Sequence, residues 1–104
     1  NASVTPISSL KKSNLYKGSL PTDDRGVVID KMLIDKMFKA RAIQEVGMIK
    51  SSDLIGRKLK VKNLGEFTIT GISNVNSPST FFADSKCQDV LMYSESDLHL
   101  MPHL

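Results

Sequence analysis

The segment around residue 60 constrains the fold most, because lysines and apolar residues alternate there without a break. In Lys58-Leu59-Lys60-Val61-Lys62, every second side chain of an extended chain points to the same side. The two apolar residues are therefore predicted to face a core, and the three lysines to face water. Asn63-Leu64-Gly65-Glu66 is typical of a hairpin connection, and Phe67 and Ile69 continue the apolar side on a return strand. The pattern predicts an antiparallel hairpin with one buried face.

A second segment changes its apolar period from strand to helix at Asp30. The run Gly26-Val27-Val28-Ile29 is continuously apolar and predicts a short buried strand. Asp30 is suited to cap a helix, because its carboxylate can accept hydrogen bonds from the first free N–H groups. After it, four apolar residues recur at helical spacing. They are Leu33, Ile34, Met37 and Phe38. This helix, or a second one, is predicted to occupy residues 40–49, where Gly47 favours a break.

The remaining elements are predicted from turn and cap residues. Ser51-Ser52-Asp53 can cap a single helical turn that ends at Gly56 in a left-handed conformation. Ser94-Glu95-Ser96-Asp97 resembles a capping box and therefore favours a helix after it. Three predictions cover the C-terminal third: a polar loop over residues 73–80, a short strand over residues 89–93 and a final short helix over residues 94–101.

The length of 104 residues favours one domain over residues 1–104. Residues 1–25 are interpreted as a loosely ordered lead-in, or one with short strands, and residues 26–101 as the core. Asn1-Ala2 is typical of residues left after tag cleavage, so the chain is interpreted as an excised domain. The predicted order, β-α-(α)-β-β-β-α, favours an α+β fold. In that fold a small mixed, largely antiparallel sheet carries two or three helices packed on one face.

The charge of the chain does not predict a nucleic-acid partner. There are 14 Lys and Arg against 11 Asp and Glu, and the net charge is +3. Acidic and basic residues are interspersed, whereas nucleic-acid-binding proteins usually cluster their basic residues in a stripe. No apolar run reaches about 18 residues, so the sequence itself predicts no membrane-spanning helix.

No group of residues predicts catalysis, a cofactor or a metal site. Cys87 is the only cysteine, and without a flanking motif a buried, inert thiol is the favoured interpretation. His99 and His103 flank Met101 in a pattern that offers soft ligands to copper, but two histidines do not complete a site. No phosphate-binding glycine loop and no acid–base pair is recognisable. The protein is therefore expected not to be an enzyme and to need no cofactor.

The three lysines of the alternating strand are the one candidate interaction surface. Lys58, Lys60 and Lys62 could contact phosphates or anionic lipid head groups. Alternatively, they form a solvated strand face, on which lysines also discourage edge-to-edge aggregation. We favour the solvated face, because recognition of phosphates or bases usually adds aromatic or arginine side chains nearby.

A series of short motifs, in order across about half of the chain, resembles one family of domains. Lys17-Gly18-Ser19-Leu20-Pro21 followed by Val27-Val28-Ile29 resembles the opening of the extracytoplasmic domains of FtsX-like and MacB-like ABC transporter permeases. The segment from Leu33 to Phe38 stands where that family has the end of a helix. Residues 55–61 (IGRKLKV) and 67–72 (FTITGI) then resemble the family patterns x-x-G-x-x-I-x-L and F-x-V-x-G-I.

This resemblance implies a non-catalytic domain on the extracytoplasmic face of the cell membrane, between the first and second transmembrane helices of a permease. It implies three partners: a cytoplasmic ATPase subunit acting through the parent permease, a second permease copy, and an extracytoplasmic substrate or partner protein. ATP-driven movement of the membrane helices would be passed to this domain. The alternative is a small soluble binding or adaptor module with weak polyanion affinity, and a small hydrolase ranks third.

Overall fold

The fold is given by a computed structural model, which describes residues 3–40, 51–90 and 98–101. Within these ranges the chain forms one seven-stranded sheet, two α-helices and four short 3₁₀ turns. The strands are β1 Ser3–Pro6, β2 Leu15–Gly18, β3 Gly26–Asp30, β4 Lys58–Val61, β5 Gly65–Ser73, β6 Ser79–Phe82 and β7 Leu98–Leu100. The helices are α1 Lys31–Ala40 and α2 Asp84–Cys87, and the turns are Ile7–Ser9, Lys12–Asn14, Ser51–Leu54 and Gln88–Val90.

Strand β5 organises the sheet, because three other strands pair with it. Strand β3 lies parallel along one side of β5, while β4 and β2 lie antiparallel to the two ends of its other side. The order across the sheet is β1-β6-β3-β5-β4-β7, with β2 beside β5. Two of the strand pairs are parallel and four are antiparallel. The predicted fold class, a mixed and largely antiparallel sheet with few helices, is confirmed.

The core covers one face of the sheet fully and the other face in part. Apolar side chains from five strands, β3 to β7, and from α1 form most of the main cluster. Its members include Val27, Ile29, Leu33, Ile34, Leu59, Val61, Phe67, Ile69, Ile72 and Phe82. On the opposite face, Val28 and Phe81 pack against Leu10 from the segment that joins β1 to β2. Burial on both faces explains why Val27, Val28 and Ile29 of β3 are all apolar rather than alternating with polar residues.

The two strongest sequence predictions are confirmed. Strand β3 passes directly into α1, and the amide of Met32 donates to the Asp30 carboxylate at 3.0 Å, so Asp30 caps the helix. Strands β4 and β5 form the predicted hairpin, with Leu59 opposite Phe67 in the core. The single turn before β4 is also present, and Gly56 follows it with a φ of 91°. The described part of the chain does not include residues 41–50, so the predicted break at Gly47 lies outside it. The side chains of Met37 and Phe38 also lie outside it.

Two C-terminal predictions are wrong. Asp89 and Val90 belong to a 3₁₀ turn rather than to a strand, and the rest of the predicted strand lies outside the described residues. Residues 98–100 form strand β7 rather than a helix, because Leu98 and Leu100 pack beside the core while the segment pairs with the free edge of β4. The capping-box residues 94–97 lie outside the described residues.

The N-terminal lead-in and the loop over residues 73–80 also need correction. Strands β1 and β2 make the described part of the lead-in a section of the sheet, so it contains short strands rather than a loosely ordered segment. The loop shrinks to residues 74–78, because Ser73 still belongs to β5 and β6 begins at Ser79. Pairing with β1 and β3 on its two sides places β6 inside the sheet.

Candidate interaction surface

Strand β4 presents its lysines to solvent, as its alternating sequence predicts. Leu59 and Val61 have no exposed surface, whereas Lys58 and Lys60 are exposed on the opposite side of the strand. Lys62 is also exposed, one residue beyond the end of β4. The structure therefore aligns Lys58 and Lys60 on one face, with Lys62 continuing the row into the hairpin turn.

The neighbouring strands complete a five-residue surface, which we call the basic face. On β5, Thr68 lies opposite Lys58 and Glu66 lies opposite Lys60. On β7, His99 lies opposite Lys60 and is exposed. The ammonium group of Lys58 donates to the Thr68 hydroxyl oxygen at 2.9 Å, which draws this side chain across the strands. The basic face thus consists of Lys58, Lys60, Glu66, Thr68 and His99.

The basic face is the open half of a sheet face whose other half is covered. Val28 of β3 and Phe81 of β6 lie on the same side of the sheet as the basic face, opposite the main core. They are covered by Leu10, with Ile7, Leu15 and Leu20 packed around it. On this side of the sheet, the strands with apolar side chains, β3 and β6, are therefore covered, and the lysine-bearing strand, β4, is open to solvent.

Sequence reasoning identified the lysines but missed His99 as their neighbour. Local alternation is enough to orient β4, and the same alternation on the return strand places Thr68 on the outer side. Strand β7 is distant from β4 in the sequence. Its three residues, Leu98, His99 and Leu100, are too few to indicate a strand or to identify β4 as its partner. The predicted helix would have given His99 a different set of neighbours.

Lys58, Lys60 and Lys62 are all exposed, so changing any one of them to alanine should leave the fold intact. We expect Lys58→Ala, Lys60→Ala and Lys62→Ala each to alter the free energy of unfolding by less than about 0.5 kcal/mol, as is usual for exposed positions. Urea unfolding followed by circular dichroism measures this directly. Loss of the fold in any single variant would contradict the orientation of β4.

Cys87 lies in an environment that disfavours the thiolate form of its side chain. It is half-buried at the end of α2, and its sulfur lies 3.7 Å from the carbonyl oxygen of Phe82 and 3.6 Å from that of Ala83. Burial, and to a smaller extent the nearby Asp84 carboxylate, raise the pKa of the Cys87 thiol above its ordinary value. These surroundings suit a structural thiol, because a nucleophilic cysteine needs a lowered pKa.

Cys87 should therefore react slowly with thiol reagents. Because the raised pKa leaves less thiolate at neutral pH, we expect modification by an aromatic disulfide reagent to be slower in the folded chain than in urea. The rate should increase as the pH rises beyond the ordinary range of a free thiol. A folded chain that reacts as fast as the unfolded one would contradict this assignment.

The other candidate chemistry does not come together in the described residues. His99 lies on β7, and His103 lies outside the part of the chain that the structure describes. Among residues 3–40, 51–90 and 98–101, no group of three or more His, Cys, Asp or Glu side chains could hold a metal ion. The same residues contain no helix that is both long and apolar enough to cross a membrane.

One buried polar cluster was only partly visible in the sequence. The Asp30 carboxylate is fully buried and accepts hydrogen bonds from the Ser73 hydroxyl at 2.7 Å and from the Val75 amide at 2.7 Å. It also accepts from the amides of Ser77 at 3.2 Å and Met32 at 3.0 Å. A carboxylate with four such donors joins the start of α1 to the loop over residues 74–78. The cluster is structural, since its carboxylate has no exposed surface.

Comparisons with protein-family models, with curated proteins and with solved structures found no match to this chain.

Proposed function

We propose that this chain is a non-catalytic extracytoplasmic domain of an ABC transporter permease. In this role it couples ATP-driven movement of membrane helices to substrate export or to an extracytoplasmic partner. Its partners are a cytoplasmic ATPase subunit acting through the parent permease and a second permease copy. It lies on the extracytoplasmic face of the cell membrane as part of an integral membrane protein.

The observation that carries the proposal is the contact between two glycines from separate motifs of the resemblance. Gly18 comes from the Leu-Pro opening and Gly71 from the return strand, and the two are register partners in the β2–β5 pair. A Cβ at Gly71 would lie 2.8 Å from the carbonyl oxygen of Ser19. The two motifs therefore meet where the backbones approach too closely for a residue with a side chain. The same close approach explains why each motif has a glycine at this position.

The other motifs of the resemblance supply one continuous core. Val27 and Ile29 from the first strand, Leu33 and Ile34 from the helix, and the apolar residues of the β4–β5 hairpin all belong to the main cluster. Motifs that were quoted from separate parts of the sequence thus pack together as one unit. A unit of this kind favours the proposal, because a packed domain moves as a rigid body when force is applied to it.

The arrangement of the sheet also suits transmission of movement. Strands β1 and β7 lie at opposite ends of the order β1-β6-β3-β5-β4-β7. Movement applied to one end can reach the other through a continuous hydrogen-bonded sheet. Loops and the open sheet face then remain available to meet a partner.

An antibody raised against the isolated chain tests the proposal in cells of its source. We expect it to detect a protein much larger than 104 residues that stays with the membranes after alkaline extraction. Added protease should remove the epitope from the outer side of the membrane without opening the cytoplasm. A detected protein of about this chain's own size in the soluble fraction would contradict the proposal.

A second candidate function is a small binding module with weak affinity for polyanions. The observation that favours it is the basic face, where two lysines and a histidine face solvent beside a single carboxylate. Binding to duplex DNA that weakens steeply as salt rises would support this candidate, because each neutralised phosphate adds about one unit to the salt slope. Absence of such binding leaves the permease domain as the better proposal.

A further inference from the structure

We propose that the basic face is a docking surface for an anionic lipid bilayer. Lys58, Lys60 and His99 point outward from two adjacent strands, and Glu66 is the one acidic residue of the face. The adjoining half of the same sheet face is covered by the segment around Leu10, whereas Lys58, Lys60, Glu66 and His99 are exposed. This inference does not rest on the permease proposal, because it concerns a surface of the isolated chain.

The geometry of the face favours a flat partner. Three adjacent strands span about 10 Å across, and Lys58 and Lys60 are separated by about 7 Å along the strand. A planar array of phosphate head groups can meet all of these cations at once. Thr68, opposite Lys58 on β5, has a short side chain, so none of the five residues of the basic face projects an apolar group that would have to enter the bilayer.

The residue types disfavour a nucleic acid as the partner. None of the five residues of the basic face is Phe, Tyr, Trp or Arg, and the imidazole of His99 is its single ring, whereas proteins that bind single strands stack successive bases on several aromatic rings. Lysine offers a compact, flexible positive charge that needs no particular geometry from its partner. These features suit head groups that move freely in the plane of a bilayer.

Charge alone gives weak but measurable binding. A lysine near an anionic membrane surface strengthens attachment by roughly fivefold. Removing both lysine charges from the basic face should therefore weaken binding by roughly 25-fold. The attraction should also fall as salt is added, since the Debye length shortens from about 10 Å at 0.1 M to about 3 Å at 1 M.

The test is co-sedimentation of the full 104-residue chain with vesicles made of equal parts phosphatidylglycerol and phosphatidylcholine. The test variant is Lys58→Gln/Lys60→Gln. The control variant is Lys31→Gln/Lys36→Gln, which removes the same net charge from exposed lysines of α1, a helix that packs on the main core at the opposite face of the sheet. Urea unfolding of both variants confirms that each remains folded. Vesicles of pure phosphatidylcholine and duplex DNA at the same salt complete the series.

The proposal predicts binding to the anionic vesicles, a roughly 25-fold loss in the test variant and little change in the control variant. Equal losses in the two double variants would overturn it, because net charge rather than the basic face would then govern binding. Failure to bind anionic vesicles would also overturn it. Tighter binding to duplex DNA than to the vesicles would overturn it in favour of a nucleic-acid partner.

Discussion

Replacing Asp30 by alanine should lower the free energy of unfolding by about 3 kcal/mol or more, because the buried Ser73 hydroxyl would lose its acceptor at a cost of about 1–3 kcal/mol and three part-buried amides would each lose a hydrogen bond worth about 0.5–1.5 kcal/mol. The Asp30 carboxylate accepts from the Ser73 hydroxyl and from the amides of Met32, Val75 and Ser77. Its removal therefore releases both the start of α1 and the loop over residues 74–78. Urea unfolding gives the loss of stability, and hydrogen exchange should show faster exchange of the Val75 and Ser77 amides.

Asp84→Ala is the matched control for this prediction. Asp84 also accepts a backbone hydrogen bond, from the Ser8 amide at 3.1 Å, but it is exposed. Hydrogen bonds from Ser8 hold the pKa of the Asp84 carboxyl below its ordinary value. Its small contribution should thus be present above that ordinary value and be lost as the pH falls through the lowered pKa. A loss for Asp30→Ala no larger than that for Asp84→Ala would contradict the importance of the buried cluster.

Replacing Gly18 by alanine should cost about 3 kcal/mol or more. Its φ of 80° imposes about 1–2 kcal/mol on any residue with a Cβ. The added methyl group would also collide with the carbonyl oxygen of Thr70 and lie 2.7 Å from the Cα of Gly71. Overpacking of this kind typically costs about 1–3 kcal/mol more. The loss should appear as a lower urea midpoint with an unchanged slope.

Gly56→Ala separates the two causes. Gly56 has a φ of 91°, but a Cβ there would meet no atom within 4 Å. It should therefore cost only the backbone term of about 1–2 kcal/mol. Gly71→Ala isolates the other cause. A Cβ there would be crowded by the Ser19 carbonyl oxygen, but Gly71 does not have a left-handed backbone conformation, so only the overpacking cost applies. If Gly18→Ala lowered the free energy of unfolding no more than Gly56→Ala does, this would contradict the close approach of β2 and β5.

The parts of the fold that could be predicted from the sequence are those with local, periodic signals. The alternation in β4 fixed which residues of the hairpin face the core, and the change of period at Asp30 located the strand and helix on either side of it. Gly71 lies against Gly18 and Ser19, and a close backbone approach of this kind is what a glycine inside a strand indicates. In each case a few adjacent residues carry the information.

The parts that could not be predicted depend on pairing between distant segments. Strand β6 pairs with β1 and β3, and β7 pairs with β4, and in each pair the partners are separated by tens of residues. The short run from Asp89 onward fits a strand or a helical turn equally well, because a few apolar residues do not separate the two periods. Of the donors to Asp30, three lie more than 40 residues later in the chain, so the sequence shows only the helix cap.

Sequencing the parent gene on both sides of this segment tests the proposed function most directly. The permease proposal predicts one apolar span of about 20 residues upstream and three more downstream, with a gene for a cytoplasmic ATPase beside it. An open reading frame that starts and stops close to these 104 residues would contradict it. In that case the small binding module becomes the better account of the fold.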